Sequence, residues 1–354
     1  MSDVPTFGVE EEFLLVDRDS GEPAGVNRAV ADRAARNGVE LDLELTSCQV
    51  ETTSSVLSST DDLRAEIAGL RRVVADAAEA TGVRLLAVGL PPSVPSEFPI
   101  TDTPRYRRIA ERFGMIAHEQ GICGCHVHVA VPDPAAGIRV SNRLRPWLPT
   151  LLALTANSAI YRGADTGHAS WRSVLWARWP SAGPPPHFDT EDAYDELVAA
   201  MRAAGAMIDE GQVYWDVRPS ADYPTVEVRV SDVCATVDEV VVYAALVRAL
   251  VMTALDEERR GCPLPAVSPH ALRAACWRSA REGVTGDAVQ ALDGLIEHVV
   301  AALRLAGDED LVRRGVARVA ADGNGAVRQR MAWGERHDVA DVVAEAARAT
   351  LAGL

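Results

Sequence analysis

The chain has 354 residues, enough for one large domain or two, either with a substantial buried core. Apolar residues make up 48% and charged residues 24%, the balance of an ordinary globular protein. Acids outnumber bases 51 to 35, a formal net charge of -16, which argues against a nucleic-acid surface and means that an anionic substrate must be drawn in by local arginines and metal.

The polar N-terminus enters a strand almost at once, so no signal peptide is expected, and no apolar run approaches the roughly 18 residues of a membrane span. That first strand, residues 7–16, carries Glu10, Glu11 and Glu12 in an otherwise apolar, β-favouring run. Alternate side chains share a face, so Glu10 and Glu12 point one way and Glu11 the other, away from any site the first two form. Two carboxylates on one buried face repel each other unless a cation lies between them. Mg²⁺ takes all-oxygen ligands of this kind. The competing reading is an edge strand with a solvated acidic face.

The first 90 residues read as strand, polar loop, strand, helix, strand. Thr60-Asp61 starts a helix over residues 60–80, with Leu63, Ile67, Leu70 and Val74 at helical spacing. A buried strand follows over 83–88, then a proline-rich loop, helical character over 105–119 and an alternating strand over 125–131. Residues 139–161 read as helix, 162–188 as a long irregular stretch holding Trp171, Trp176 and Trp179, and 189–209 as helix again. Irregular segments of that length are usually functional. Two strands, 213–217 and 225–230, precede a C-terminal part that is helical after Thr236. The pattern is α+β: a single catalytic domain over 1–354, with a sheet-bearing portion to 235 and a helical portion from 236.

Four strand segments each carry polar residues that a pure core strand would lack. They are Glu10 with Glu12, Glu44 with Glu51, His126 with His128, and Glu227 with Arg229. Singly, His-x-His is more often two satisfied histidines, and Glu-Val-Arg a surface ion pair. Together they make a mixed carboxylate–imidazole site beside a fixed cation, which suits metal-assisted phosphoryl chemistry. Cys123-Gly124-Cys125-His126-Val127-His128 looks like a zinc cluster, but a strand does not readily turn four such ligands onto one tetrahedral ion, and Cys125 faces away from His126. The six cysteines are scattered and suggest no disulfide scaffold. A cytoplasmic enzyme is the default.

The set FGVEEEF, QVETTS, GCHVHV, WDVRPS and TVEVRV, over about residues 6–234, with ADGNGAVRQR at 321–330, resembles the glutamate–cysteine ligase type 2 family of bacterial carboxylate–amine ligases. That family is related in fold to glutamine synthetase. The resemblance implies a curved antiparallel sheet of about six strands covered by helices, its concave face holding ATP, Mg²⁺ (or Mn²⁺) and a carboxylate substrate. By the same resemblance, Glu10, Glu12, Glu44, Glu51, His126 and Glu227 would bind metal. Arg229 would contact the transferred phosphate, Arg218 the nucleotide phosphate, His128 phosphate (as part of the nucleotide site) or substrate, and Arg172 would grip the substrate carboxylate. The implied activity is ATP-dependent amide formation through an acyl phosphate, with glutamate plus cysteine or another small amine as substrates and no membrane or nucleic-acid partner. Dimerisation is a family-level expectation, and the general base is left open. A metal-dependent hydrolase, or an inactive nucleotide- or amino-acid-binding protein on the same scaffold, are the rival readings. The hydrolase leaves Arg218 and Arg229 without a purpose.

Overall fold

A computed structural model describes residues 4–95, 98–119, 121–264 and 266–354. The strands are β1 (Phe7–Asp17), β2 (Asp42–Leu43), β3 (Gln49–Thr53), β4 (Val83–Leu86), β5 (Gly124–Ala130), β6 (Ile160–Tyr161), β7 (Ala164–Asp165), β8 (Val217–Pro219) and β9 (Thr225–Asp232). Helices α1 (Asn27–Ala35), α2 (Thr60–Glu79), α3 (Pro104–Phe113), α4 (Met115–His118), α5 (Pro134–Leu144), α6 (Leu148–Thr155), α7 (Trp171–Trp176) and α8 (Glu191–Ala203) lie between them. Helices α9 (Val237–Arg259), α10 (Pro269–Glu282), α11 (Gly286–Ala306), α12 (Glu309–Asp322), α13 (Gly325–Trp333) and α14 (Val339–Thr350) follow the last strand.

Seven strands form one antiparallel sheet in the order β2-β3-β1-β5-β9-β8, with β4 pairing β1 where β5 leaves it. Strand β1 shows why the sheet has one open face. Phe7, Val9, Glu11 and Phe13 are buried, while Gly8, Glu10 and Glu12 between them remain partly accessible. Beyond Phe13 the alternation stops: Leu14, Leu15 and Val16 are all fully buried, because helices cover both faces there. Under the open sheet lies α9, apolar almost all round and flanked by α2, α5, α11 and α12, as a helix must be when it sits in the middle of a core. Among the described residues, no helix is long and apolar enough to cross a membrane.

Glu11 is the acid that the core accepts. It is fully buried and takes a forked pair from Arg71 in α2, Nη2 to Oε1 at 2.6 Å and Nε to Oε2 at 3.2 Å. The remaining Arg71 donors reach the carbonyls of Cys234 at 2.8 Å, Ala235 at 3.1 Å and Thr350 at 3.2 Å. With its hydrogen bonds satisfied, the pair clamps the central strand to α2, the end of β9 and α14.

Several boundaries differ from the sequence reading. Residues 44–48 form a turn rather than a strand, so Glu44 is held outside β2 and β3. The helix expected over 139–161 is broken into α5, one 3₁₀ turn (Arg145–Trp147) and α6, and Pro146 and Pro149 each sit in a first helical turn, where proline is tolerated. The strand expected over 213–217 starts only at Val217. Helix α1 occupies what reads as polar loop, since it buries little more than Val30 and Ala34. The irregular 162–188 stretch contains β7 and α7, the latter capped by Ser170 Oγ accepting from the Ser173 N–H at 3.2 Å.

Candidate active site

Strand register assembles the site. Glu12 pairs with Glu51, Glu10 with His126, Gly8 with His128, His128 with Glu227, and Glu227 with Arg218. These side chains share the open face because each strand alternates and the register is continuous. One irregularity matters. Between β5 and β9 the pairing steps from Val127–Val228 to Cys125–Ser231, so β9 carries an extra residue opposite His126. That bulge re-aims Arg229, whose Nη1 lies 3.4 Å from His126 Nδ1.

Three groupings bring potential ligand atoms within 4.8 Å of one another: Glu10, Glu51 and His126; Glu10, His128 and Glu227; Glu12, Glu44 and Glu51. His126 is central to the row. Its Nδ1 is 3.2 Å from Glu10 and 3.9 Å from both Glu51 and Glu227, and its Nε2 is 4.0 Å from Glu12. His128 presents Nε2 at 3.2 Å from Glu10, while Thr225 Oγ1 lies 3.0 Å from its Nδ1 and orients the ring. The Nε2 atoms of both histidines are buried, that of His126 with no hydrogen-bond partner among the described residues.

The electrostatics divide the carboxylates into two kinds. Burial opposes ionisation of Glu10 and Glu227, but His126 and His128 around the first, and Arg229 and Arg218 around the second, hold both below the usual carboxylate range. Glu12 and Glu51 go the other way. Burial raises both, and the charge of Glu44 adds to each; Glu10 and Glu12 push Glu51 further, to well above its ordinary value. Carboxylates that cannot all ionise together, interleaved with two histidines, are what a divalent cation would neutralise. The donor set fits Mg²⁺ or Mn²⁺, with Glu12, Glu44 and Glu51 offering oxygen alone and His126 or His128 joining the other two groups. No cysteine enters these groupings among the described residues, and Cys123 and Cys125 are fully buried, so the sulfur needed for the zinc reading is absent.

The arginines flank this row. Arg218 donates from Nε to Glu227 Oε2 at 2.8 Å and from Nη1 to the Val213 carbonyl at 2.6 Å, and Arg229 pairs with Glu227 Oε1. Arg172 arrives from α7. It crosses directly over Gly124, where an added Cβ would stand 2.4 Å from its Nη2 and 3.1 Å from His126 Nε2. The Gly124 N–H donates to Glu12 at 2.5 Å. Thus Gly124 both leaves room for Arg172 and fixes Glu12. Of the tryptophans, Trp176 rather than Trp171 or Trp179 faces the Arg172 guanidinium, at 5.8 Å from the ring centroid.

Two aspartates went unassigned in the sequence. Asp232 ends β9 fully buried and accepts from Asn157 N at 2.7 Å, Ser158 Oγ at 2.7 Å and Ser170 Oγ at 2.8 Å, with Arg172 at 3.9 Å. It ties the loops that position Arg172 to the sheet. Asp216 is buried beside Arg172 in a cavity, and its carboxyl is pushed up to about 7 by burial, against the pull of Arg172 and Arg229. Its place in WDVRPS was visible in the sequence, but nothing there distinguished a buried carboxyl from a turn-forming one.

The family model for glutamate–cysteine ligase family 2 matches residues 6–345. A relative from Mycolicibacterium vanbaalenii, provisionally named glutamate–cysteine ligase 2-2, is 64% identical over 362 residues, covering 99% of each chain. Another from Nocardia farcinica, provisionally named glutamate–cysteine ligase 2-1, is 58% identical over 362 residues, covering 99% of this chain and 94% of the relative. In fold, the chain is similar to a glutamate–cysteine ligase from Francisella tularensis solved in complex with AMP, with TM-score 0.68, 14% identity and coverage of 98% and 88%. It is also similar to a bifunctional glutathione synthetase from Pasteurella multocida, with TM-score 0.72 and 15% identity, where 98% of this chain spans 52% of the larger one. The chain therefore belongs to glutamate–cysteine ligase family 2.

Proposed function

We propose that this protein joins a small carboxylic acid to an amine with ATP, through an acyl phosphate, with L-glutamate as the acid and cysteine or another small amine as the acceptor. The observation that carries this reading is the single open face on which Glu10, Glu12, Glu51, His126 and Glu227 converge beside Arg218 and Arg229. Family membership and the AMP-bound relative support nucleotide use.

A carboxylate is a poor electrophile, so the reaction begins when its oxygen attacks the γ-phosphorus of ATP and ADP leaves. Glu10, Glu12, Glu44, Glu51, His126 and Glu227 would hold Mg²⁺, which supplies positive charge against the phosphate oxygens. Arg229, held by Glu227 beside the β9 bulge, offers a permanently charged fork to the transferring phosphoryl group. Arg218 and His128 lie further along the same row and would contact the nucleotide phosphates. Arg172, over Gly124, would orient the acid. The amine then attacks the acyl carbon, loses a proton and expels phosphate. Asp216, beside Arg172 with its carboxyl pushed up to about 7 by burial, suits the proton acceptor.

The test is phosphate release from Mg·ATP across a panel of acids with and without amines, with products read by mass spectrometry. Phosphate together with an amide mass for one acid–amine pair is the expected result. Turnover of an amide or ester without nucleotide would point to the hydrolase instead.

A further inference from the structure

Beside the acidic face, the 171–186 segment and α10 line an open cavity of about 740 Å³. Arg172 belongs to both places, bordering the cavity while lying over Gly124 and His126. The same wall carries Arg145, which opens the 3₁₀ turn after α5. Only 4% of Arg145 is exposed, its Nε has no hydrogen-bond partner, and its guanidinium has no ion-pair partner among the described residues. Burial alone lowers its pKa, and no neighbouring acid offsets that effect.

Other buried arginines are handled differently. Arg71 is forked onto Glu11, Arg248 meets Asp308 at 2.6 Å, and Arg143 meets Glu257 at 3.2 Å. A guanidinium whose Nε is buried without a partner, and which has no counter-charge beside it, is costly. Keeping one on a cavity wall makes sense when a ligand brings the missing anion, and the planar fork matches a carboxylate. The rest of the wall agrees. Arg172 and Arg273 also line the cavity, as does Arg178, which is paired with Glu119 at 2.8 Å, and Asp216 is the one acid among its described lining residues, in a chain with 51 acids and 35 bases.

We propose that Arg145 is the carboxylate-recognition group of this cavity, and that a substrate docks there through a carboxylate other than the one being activated. The inference rests on the ligase reading and narrows its substrate class. That carboxylate belongs either to the acid, as the α-carboxylate of a dicarboxylic amino acid, or to an amino-acid acceptor.

Trp277, 58% exposed on the cavity wall, together with Trp176 and Trp179 provides a fluorescence reporter. The experiment titrates the full chain, with Mg²⁺ and without nucleotide, using L-glutamate against 4-aminobutyrate and L-cysteine against cysteamine. Within each pair the second probe lacks the α-carboxylate. In at least one pair the carboxylate-bearing probe should bind about tenfold tighter or better. Arg145→Gln should erase that preference without lowering the melting temperature, and Arg145→Lys should retain part of it. The pair that shows the preference identifies which substrate Arg145 holds. No preference in either pair, a preference that survives Arg145→Gln, or a marked loss of stability in Arg145→Gln would overturn the proposal. An Arg145-dependent preference in a protein that never turns over ATP would remove the ligase reading and leave this one. Turnover with substrates that Arg145 does not sense would do the reverse.

Discussion

Glu12 and Glu51 are direct cross-strand partners between β1 and β3, two buried carboxylates brought side by side with Glu44 close to both. Like charges so placed destabilise the sheet unless a cation joins them. Their raised pKa values mean that the folded state holds protons the unfolded chain would have released. Stability from this cluster is therefore present near the ordinary carboxylate range and declines as pH rises through the raised values. In chelator, the melting temperature should fall as pH is raised above the ordinary carboxylate range, and Mg²⁺ or Mn²⁺ should recover it. Glu51→Gln should flatten the fall and remove most of the metal response. A metal response that Glu51→Gln leaves intact would count against these ligands.

Glu11, between two acids on the open face of the sheet, has a different task. Arg71→Met strands its buried charge and should cost about 3–5 kcal/mol, read as a lower midpoint in urea. The double change Glu11→Leu with Arg71→Met should recover much of that loss. Because the pair points into the core, substrate KM in the surviving folded fraction should stay close to that of the parent protein.

Gly124→Ala tests the approach of Arg172. The new methyl carbon would stand 2.4 Å from Arg172 Nη2 and 3.1 Å from His126 Nε2, so the guanidinium must move while the strand persists. The KM for the acid should rise about tenfold or more, with the melting temperature nearly unchanged. Unaltered KM would dissociate Arg172 from the acid.

Asp216 predicts a pH signature. With its carboxyl pushed up to about 7, it accepts a proton only when ionised, so kcat should climb as pH rises through about 7 and then level. Asp216→Asn should remove that limb and lower kcat on the order of 10²-fold, leaving binding of the acid in place. A limb that persists in Asp216→Asn assigns the titration elsewhere.

Much of this was legible in the residues themselves. The period of 2 in β1, β5 and β9 sends Glu10, Glu12, His126, His128, Glu227 and Arg229 to one face and Glu11 to the other, and the structure has them so. What could not be read was anything set by long-range register or loop packing. The β9 bulge that brings Arg229 to His126 leaves no mark in an alternating sequence. Glu44 reads as part of one strand with Glu51, yet it lies in the connection between β2 and β3. Nothing in the sequence around Arg145 shows that it lacks a counter-charge, and Asp232 acquires its meaning only when Asn157, Ser158 and Ser170 gather around it.

The most direct test of the acyl-phosphate route is isotope transfer. The acid is labelled with ¹⁸O in both carboxylate oxygens, and the phosphate released during amide synthesis is analysed by mass. If the carboxylate attacks the γ-phosphorus and the amine then displaces phosphate, one labelled oxygen leaves in each inorganic phosphate formed. Amide formation accompanied by unlabelled phosphate, or by AMP and pyrophosphate, would contradict the account.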